Sequence, residues 1–240
     1  MQNNYPQKPG INLMLKQAFY YWNKTLVFQL MFSIVYFGVF FTSIFFFASK
    51  YGIWDQQQEL VEAFKVSTEA YVQKATELGQ SENSRYFSYA FLGTMVFLYP
   101  LNLGLFKIFR KVDLNEKIEP GDLFAGYSGL NFFKYIGYAL FWFLVYHMIF
   151  ATLILPVIWI MVTVFVAPLM FFMDKRIFEA IALNFQALKM FFVEVLVCVI
   201  VAFLFKYMGF ALLFIGGLFT FPFWNAIIYA MYKNIFSEKS

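Results

Sequence analysis

Charged side chains are scarce in this 240-residue sequence. They make up 13% of it, where a soluble domain carries about 25%, and the deficit points to lipid as the solvent. Cysteine and histidine are scarcer still, with one of each, Cys198 and His147. One cysteine excludes a disulfide framework within a chain. One cysteine and one histidine also exclude the usual zinc, haem and iron–sulfur ligand sets, so no metal or cofactor is expected. No serine-protease elbow, phosphate-binding loop, His-Glu-x-x-His helix or pair of catalytic carboxylates in facing spans occurs, and no enzyme activity is expected. A cleavable leader is not evident: the first apolar run begins after residue 24 and is 25 residues long, against about 7–15 for a leader's apolar core.

What the chain has in abundance is apolar surface, at 62% of residues, in runs without charge. Residues 25–49, 86–106 and 207–232 hold none, and 135–173 holds only His147. An apolar helix of about 20 residues spans the hydrocarbon core, and a spanning chain must close its backbone hydrogen bonds internally. The runs are continuous rather than alternating, so helices are expected, not a barrel. Six spans follow: 25–49, 87–106, 135–154, 157–173, 190–205 and 208–232. Pro156 is expected to separate the third from the fourth, because proline disfavours helix in the residue before it.

The spans repeat as three hairpins. Lys134 precedes Pro168 by 34 positions and Lys189 precedes Pro222 by 33, while Lys24 precedes Pro100 by 76, the same spacing with an insertion. A short amphipathic segment stands before each hairpin: Ile11, Met14, Leu15, Ala18, Phe19 and Trp22; then Leu123, Phe124, Tyr127 and Leu130; then Ile177, Ile181, Phe185 and Leu188, with Asp174 as N-cap. Each reads as an interfacial helix on the cytoplasmic surface. The expected fold is therefore all-α, a six-span bundle of three hairpin repeats with cytoplasmic interfacial helices. Residues 1–24 form a cytoplasmic amphipathic segment and 25–240 the membrane domain.

With the N-terminus inside, 13 Lys and Arg residues flank the spans on the cytoplasmic side and 5 on the other, so both termini are expected in the cytoplasm. The net charge of +4 is small and lies beside the spans, which argues against nucleic acid. The insertion, 50–86, is the outside segment. A helix over 55–79, started by Asp55 and about 37 Å long, would carry Leu60, Phe64, Tyr71 and Leu78 as an apolar stripe, a candidate surface for a protein partner or self-association.

Ionisable and amide groups within spans are functional suspects because unpaired burial is costly. The candidates are Glu194, His147, Asn225 and Asn102. The plainer readings are a Glu194 solvated at the interface, a His147 hydrogen-bonded in packing, and asparagines that bond carbonyls freed by Pro100 and Pro222. Asp113, Glu116, Glu119 and Asp122 read as a solvated acidic loop rather than a cation site.

Leu123-Phe124, Leu155-Pro156, Pro168-Leu169, Asp174, Glu179-Ala180, Asn184, Lys189, Ile215-Gly216, Pro222 and Tyr229 carry a resemblance over residues 120–235. This part resembles a bacterial membrane-protein family of unknown function, related to the membrane portion of some glycerophosphodiester phosphodiesterases. The resemblance implies a six-span fold without catalytic residues, since the phosphodiesterase domain is missing. The function expected is a scaffold or subunit of an envelope assembly in a bacterial cytoplasmic (inner) membrane, in contact with membrane lipid. The alternative is a transporter-like or lipid-handling permease.

Overall fold

The computed structural model describes residues 10–152, 154–211 and 215–236. Lys8, Pro9, Lys239 and part of the sixth expected span lie outside the described residues. Every regular element described is helical. In chain order they are α1 (Ile11–Lys24), α2 (Leu26–Lys50), α3 (Ile53–Val66), α4 (Thr68–Gly79), α5 (Glu82–Leu98) and α6 (Leu101–Asp113). A 3-10 helix, Pro120–Tyr127, then leads to α7 (Asn131–Ile149), a 3-10 turn at Phe150–Thr152, α8 (Ile154–Thr163) and α9 (Val166–Phe172). The chain ends in α10 (Ile177–Ala211), α11 (Ile215–Thr220) and α12 (Phe223–Phe236).

Among the described residues, five stretches are long and apolar enough to cross a membrane: Leu26–Lys50, Glu82–Asp113, Asn131–Thr152, Ile154–Phe172 and Ile177–Ala211. The expected 208–232 segment is instead the end of α10 followed by α11 and α12, interrupted by a turn at Phe221-Pro222. Several expected boundaries move. The third segment ends in the 3-10 turn Phe150–Thr152, ahead of Pro156, which sits in the first turn of α8; there its missing N–H would have had no helical partner anyway. Asp174 is not an N-cap. It has φ 50° and pairs with Lys134, while Glu179 Oε2 reaches back to accept from the Arg176 N–H. The third amphipathic segment is continuous with the fifth span as α10, bent at Phe191, whose φ −124° and ψ 30° are not helical.

The chain divides into two compact units, residues 1–35 with 99–240, and residues 36–98. In the first unit, three short helices that follow breaks, α6, α9 and α12, pack on one another through Phe109, Phe172 and Tyr229. Each expected amphipathic segment is packed against one of these return segments: α1 on α12, the 3-10 helix on α6, and the start of α10 on α8 and α9. The buried faces differ from the expected stripes. In α1 they are Met14, Ala18 and Tyr21, and Phe19 stays exposed. At the start of α10 they are Ala180, Asn184, Ala187 and Leu188, and Phe185 is half exposed. The 3-10 helix turns its glycine inward: a Cβ on Gly126 would stand 2.2 Å from the Pro100 carbonyl oxygen.

In the second unit the expected single helix over 55–79 is two. Gly52, in the left-handed region at φ 63°, starts α3, and the chain breaks at Ser67, whose hydroxyl accepts from the Ala70 N–H at 3.0 Å to cap α4. The helices fold back as a hairpin. Lys74 reaches Glu59 at 2.8 Å, and Phe64 meets Tyr71 edge to face at 5.8 Å. Gln56 and Tyr51 tie this hairpin to Ser84 and Tyr86 of α5.

Candidate functional site

A break in a buried helix leaves carbonyls without partners, and in lipid no water relieves them. At three breaks among the described residues, the first unit supplies a side chain. At Pro100, Asn102 Nδ2 donates to the Tyr99 carbonyl at 2.8 Å, and its Oδ1 accepts from Asn225 Nδ2 at 3.1 Å. Before α9 the interruption lies at Val164-Phe165, three residues ahead of Pro168. There Asn184 donates to the Met161 carbonyl at 3.0 Å and accepts from the Phe165 N–H at 2.8 Å. Tyr138 adds a bond to the Thr163 carbonyl. Near Pro222, Trp22 Nε1 donates to the Phe219 carbonyl at 2.8 Å.

Asp113, at the end of α6, gathers the densest polar cluster. It accepts from Tyr21 and Tyr229 hydroxyls, both at 2.7 Å, and from Lys233 at 2.6 Å. Asn234 donates to Gln17 beside it. Residues near both ends of the chain are thereby joined to its middle. Burial, then the Asp113 carboxylate, raises the Tyr21 hydroxyl above its ordinary range.

Asp122 forms a second clasp on the same helix. It is buried and accepts from Lys107 at 2.9 Å, Lys111 at 2.7 Å and the Glu119 N–H at 2.9 Å. Burial raises its carboxyl, but the bonds from Lys111, Glu119 and Lys107 outweigh that and hold it down at about 2. The acidic run expected to be a solvated loop thus separates: Asp113 and Asp122 turn inward as acceptors, and Glu116 and Glu119 stay exposed.

Of the four intramembrane candidates, the structure brings together Asn102 and Asn225. Glu194 is partly exposed on α10. His147 is exposed on α7, and no hydrogen bond to it occurs among the described residues, so the expected packing role is not seen. Sequence reading missed Asn184, Asp113 and Asp122 as organising groups. Among the described residues no cluster of three or more His, Cys, Asp or Glu is placed to hold a metal ion, and Cys198 is a buried thiol.

The stripe on the 50–86 insertion is folded on itself, with Phe64 against Tyr71. Phe64 is 65% exposed and Tyr71 is exposed, while Leu60 and Leu78 are half-buried. Val61, Val66 and Val72 widen the exposed apolar surface of the hairpin. No family model, curated protein or solved structure matches the chain.

Proposed function

We propose that this chain is a non-enzymatic, six-span protein of a bacterial cytoplasmic membrane, with both termini inside, acting as a scaffold or subunit of an envelope assembly. The observation that carries this reading is the α3–α4 hairpin, which holds Phe64, Val61, Val66, Val72 and Tyr71 exposed in a segment outside the apolar spans. Burying a large apolar side chain contributes about 1.5–3 kcal/mol, so such a surface favours a protein contact. The reading is supported by the inward use of the polar groups: Asn102, Asn225, Asn184 and Asp113 are engaged in closing helix breaks and joining elements. The expected family resemblance and the three-hairpin repeat belong to this proposal.

The test is purification in a gentle detergent of the parent and of Phe64→Glu. The parent is expected to carry a stoichiometric partner or to self-associate, and the variant to lose that association while remaining membrane-inserted. A parent that purifies as a lone monomer, or a variant that keeps every association, contradicts the scaffold reading. A second reading, a lipid-handling permease, is favoured by an apolar trough between α8 and α10.

A further inference from the structure

Between α8 and α10 lies a trough of about 450 Å³. Val157, Ile158 and Met161 form one wall, and Phe185, Phe192 and Leu196 the other. All its lining residues are apolar except Lys189. The trough has a cause in the fold. Asn184 holds the start of α10 to the Met161 carbonyl and the Phe165 N–H, and α10 then bends at Phe191 beside it. Both walls belong to stretches long and apolar enough to cross a membrane.

Lys189 makes no ion pair among the described residues; its ammonium lies 4.9 Å over the Phe185 ring. An ammonium in such surroundings is stabilised by an anion at its side, and the side chain is long enough to bring its charge out along the apolar wall. The other lining residues offer no carboxylate to receive a cationic headgroup, and the Phe185 face is already covered by Lys189.

We infer that this trough is a binding site for an anionic phospholipid, with an acyl chain along Val157, Ile158, Phe192 and Leu196 and the phosphate on Lys189. The assignment rests on the membrane reading of α8 and α10 but not on the scaffold role.

The experiment uses the full chain in detergent, offered equal amounts of phosphatidylglycerol and phosphatidylcholine with the same chains, with retained lipid measured by native mass spectrometry. The parent is expected to retain phosphatidylglycerol preferentially. Lys189→Gln should lower that preference about fivefold, the effect of one basic residue near an anionic lipid. Lys189→Arg should preserve it, and Ile158→Trp, which fills the trough, should reduce retention of both lipids. Lys65→Gln, on α3, should change nothing. An undiminished preference in Lys189→Gln overturns the assignment. So does free oleate that displaces phosphatidylglycerol and is held equally by parent and Lys189→Gln, which would make the trough a fatty-acid slot. Failure of the membrane reading would appear separately, as release of the parent protein from membranes by alkaline carbonate.

Discussion

Gly104 lies directly against the backbone of Leu123: a Cβ built on it would stand 1.9 Å from the Leu123 carbonyl oxygen. No rotamer change relieves a backbone clash, so the 3-10 helix sits flush on α6 only because residue 104 has no side chain. Overpacking a well-filled site costs about 1–3 kcal/mol. Gly104→Ala is expected to lower the thermal midpoint of the detergent-solubilised protein by at least that equivalent. Gly93→Ala, where nothing lies within 4 Å of the added methyl, is the matched control and should leave the midpoint unchanged or raise it.

The Asp113 cluster makes a prediction that separates its donors. Asp113→Ala leaves Lys233, Tyr21 and Tyr229 without their shared, partly buried acceptor, and the lost bonds to a charged group together cost about 3 kcal/mol. Lys233→Met leaves the carboxylate with both tyrosine hydroxyls and should cost only about 1.5 kcal/mol. Urea unfolding in mild detergent checks the order. Equal losses would mean that the carboxylate serves Lys233 alone.

The apolar tracts of α2 and α7 were legible in the sequence because continuous hydrophobicity needs no partner to be recognised. Pro100 and Pro222 left a local signal, the missing N–H, yet the expected spans 87–106 and 208–232 ran through both positions, where the helices stop and restart. The break at Val164-Phe165 was not, since it precedes Pro168 and is held by Asn184, 19 residues away from Phe165. Asp113 and Asp122 looked like solvent-facing acids because their partners are distant or belong to the next turn of chain; Tyr21 and Lys233 stand 92 and 120 positions from Asp113. Ser67 did leave a signal. A Ser-Thr-Glu run inside an apolar stripe is an N-cap followed by an acid in the first turn, and it outweighed the stripe's apparent continuity.

Asp122 gives the protein an acid-sensitive clasp. Its folded carboxyl, at about 2, lies below the ordinary value of 3.8. A lowered folded value stabilises above the unfolded one, and the contribution fades as pH falls from about 3.8 through about 2. The shift corresponds to about 2 kcal/mol. The thermal midpoint of the parent should therefore fall more steeply than that of Asp122→Asn between pH 4 and 2, and the two curves should approach one another at the acid end. Parallel curves would show that Lys107 and Lys111 do not hold the carboxylate.

Membrane topology is the foundation of the whole account, and cysteine accessibility in intact cells tests it most directly. In a Cys198→Ala background, single cysteines replace Gln57 in α3, Glu119 in the loop after α6, Arg176 in the link between α9 and α10, and Ser237 beyond α12. With six spans and both termini inside, an impermeant maleimide should label position 57 alone, and the other three should react only after the membrane is opened. Labelling at 119 or 176 in sealed cells would contradict the account.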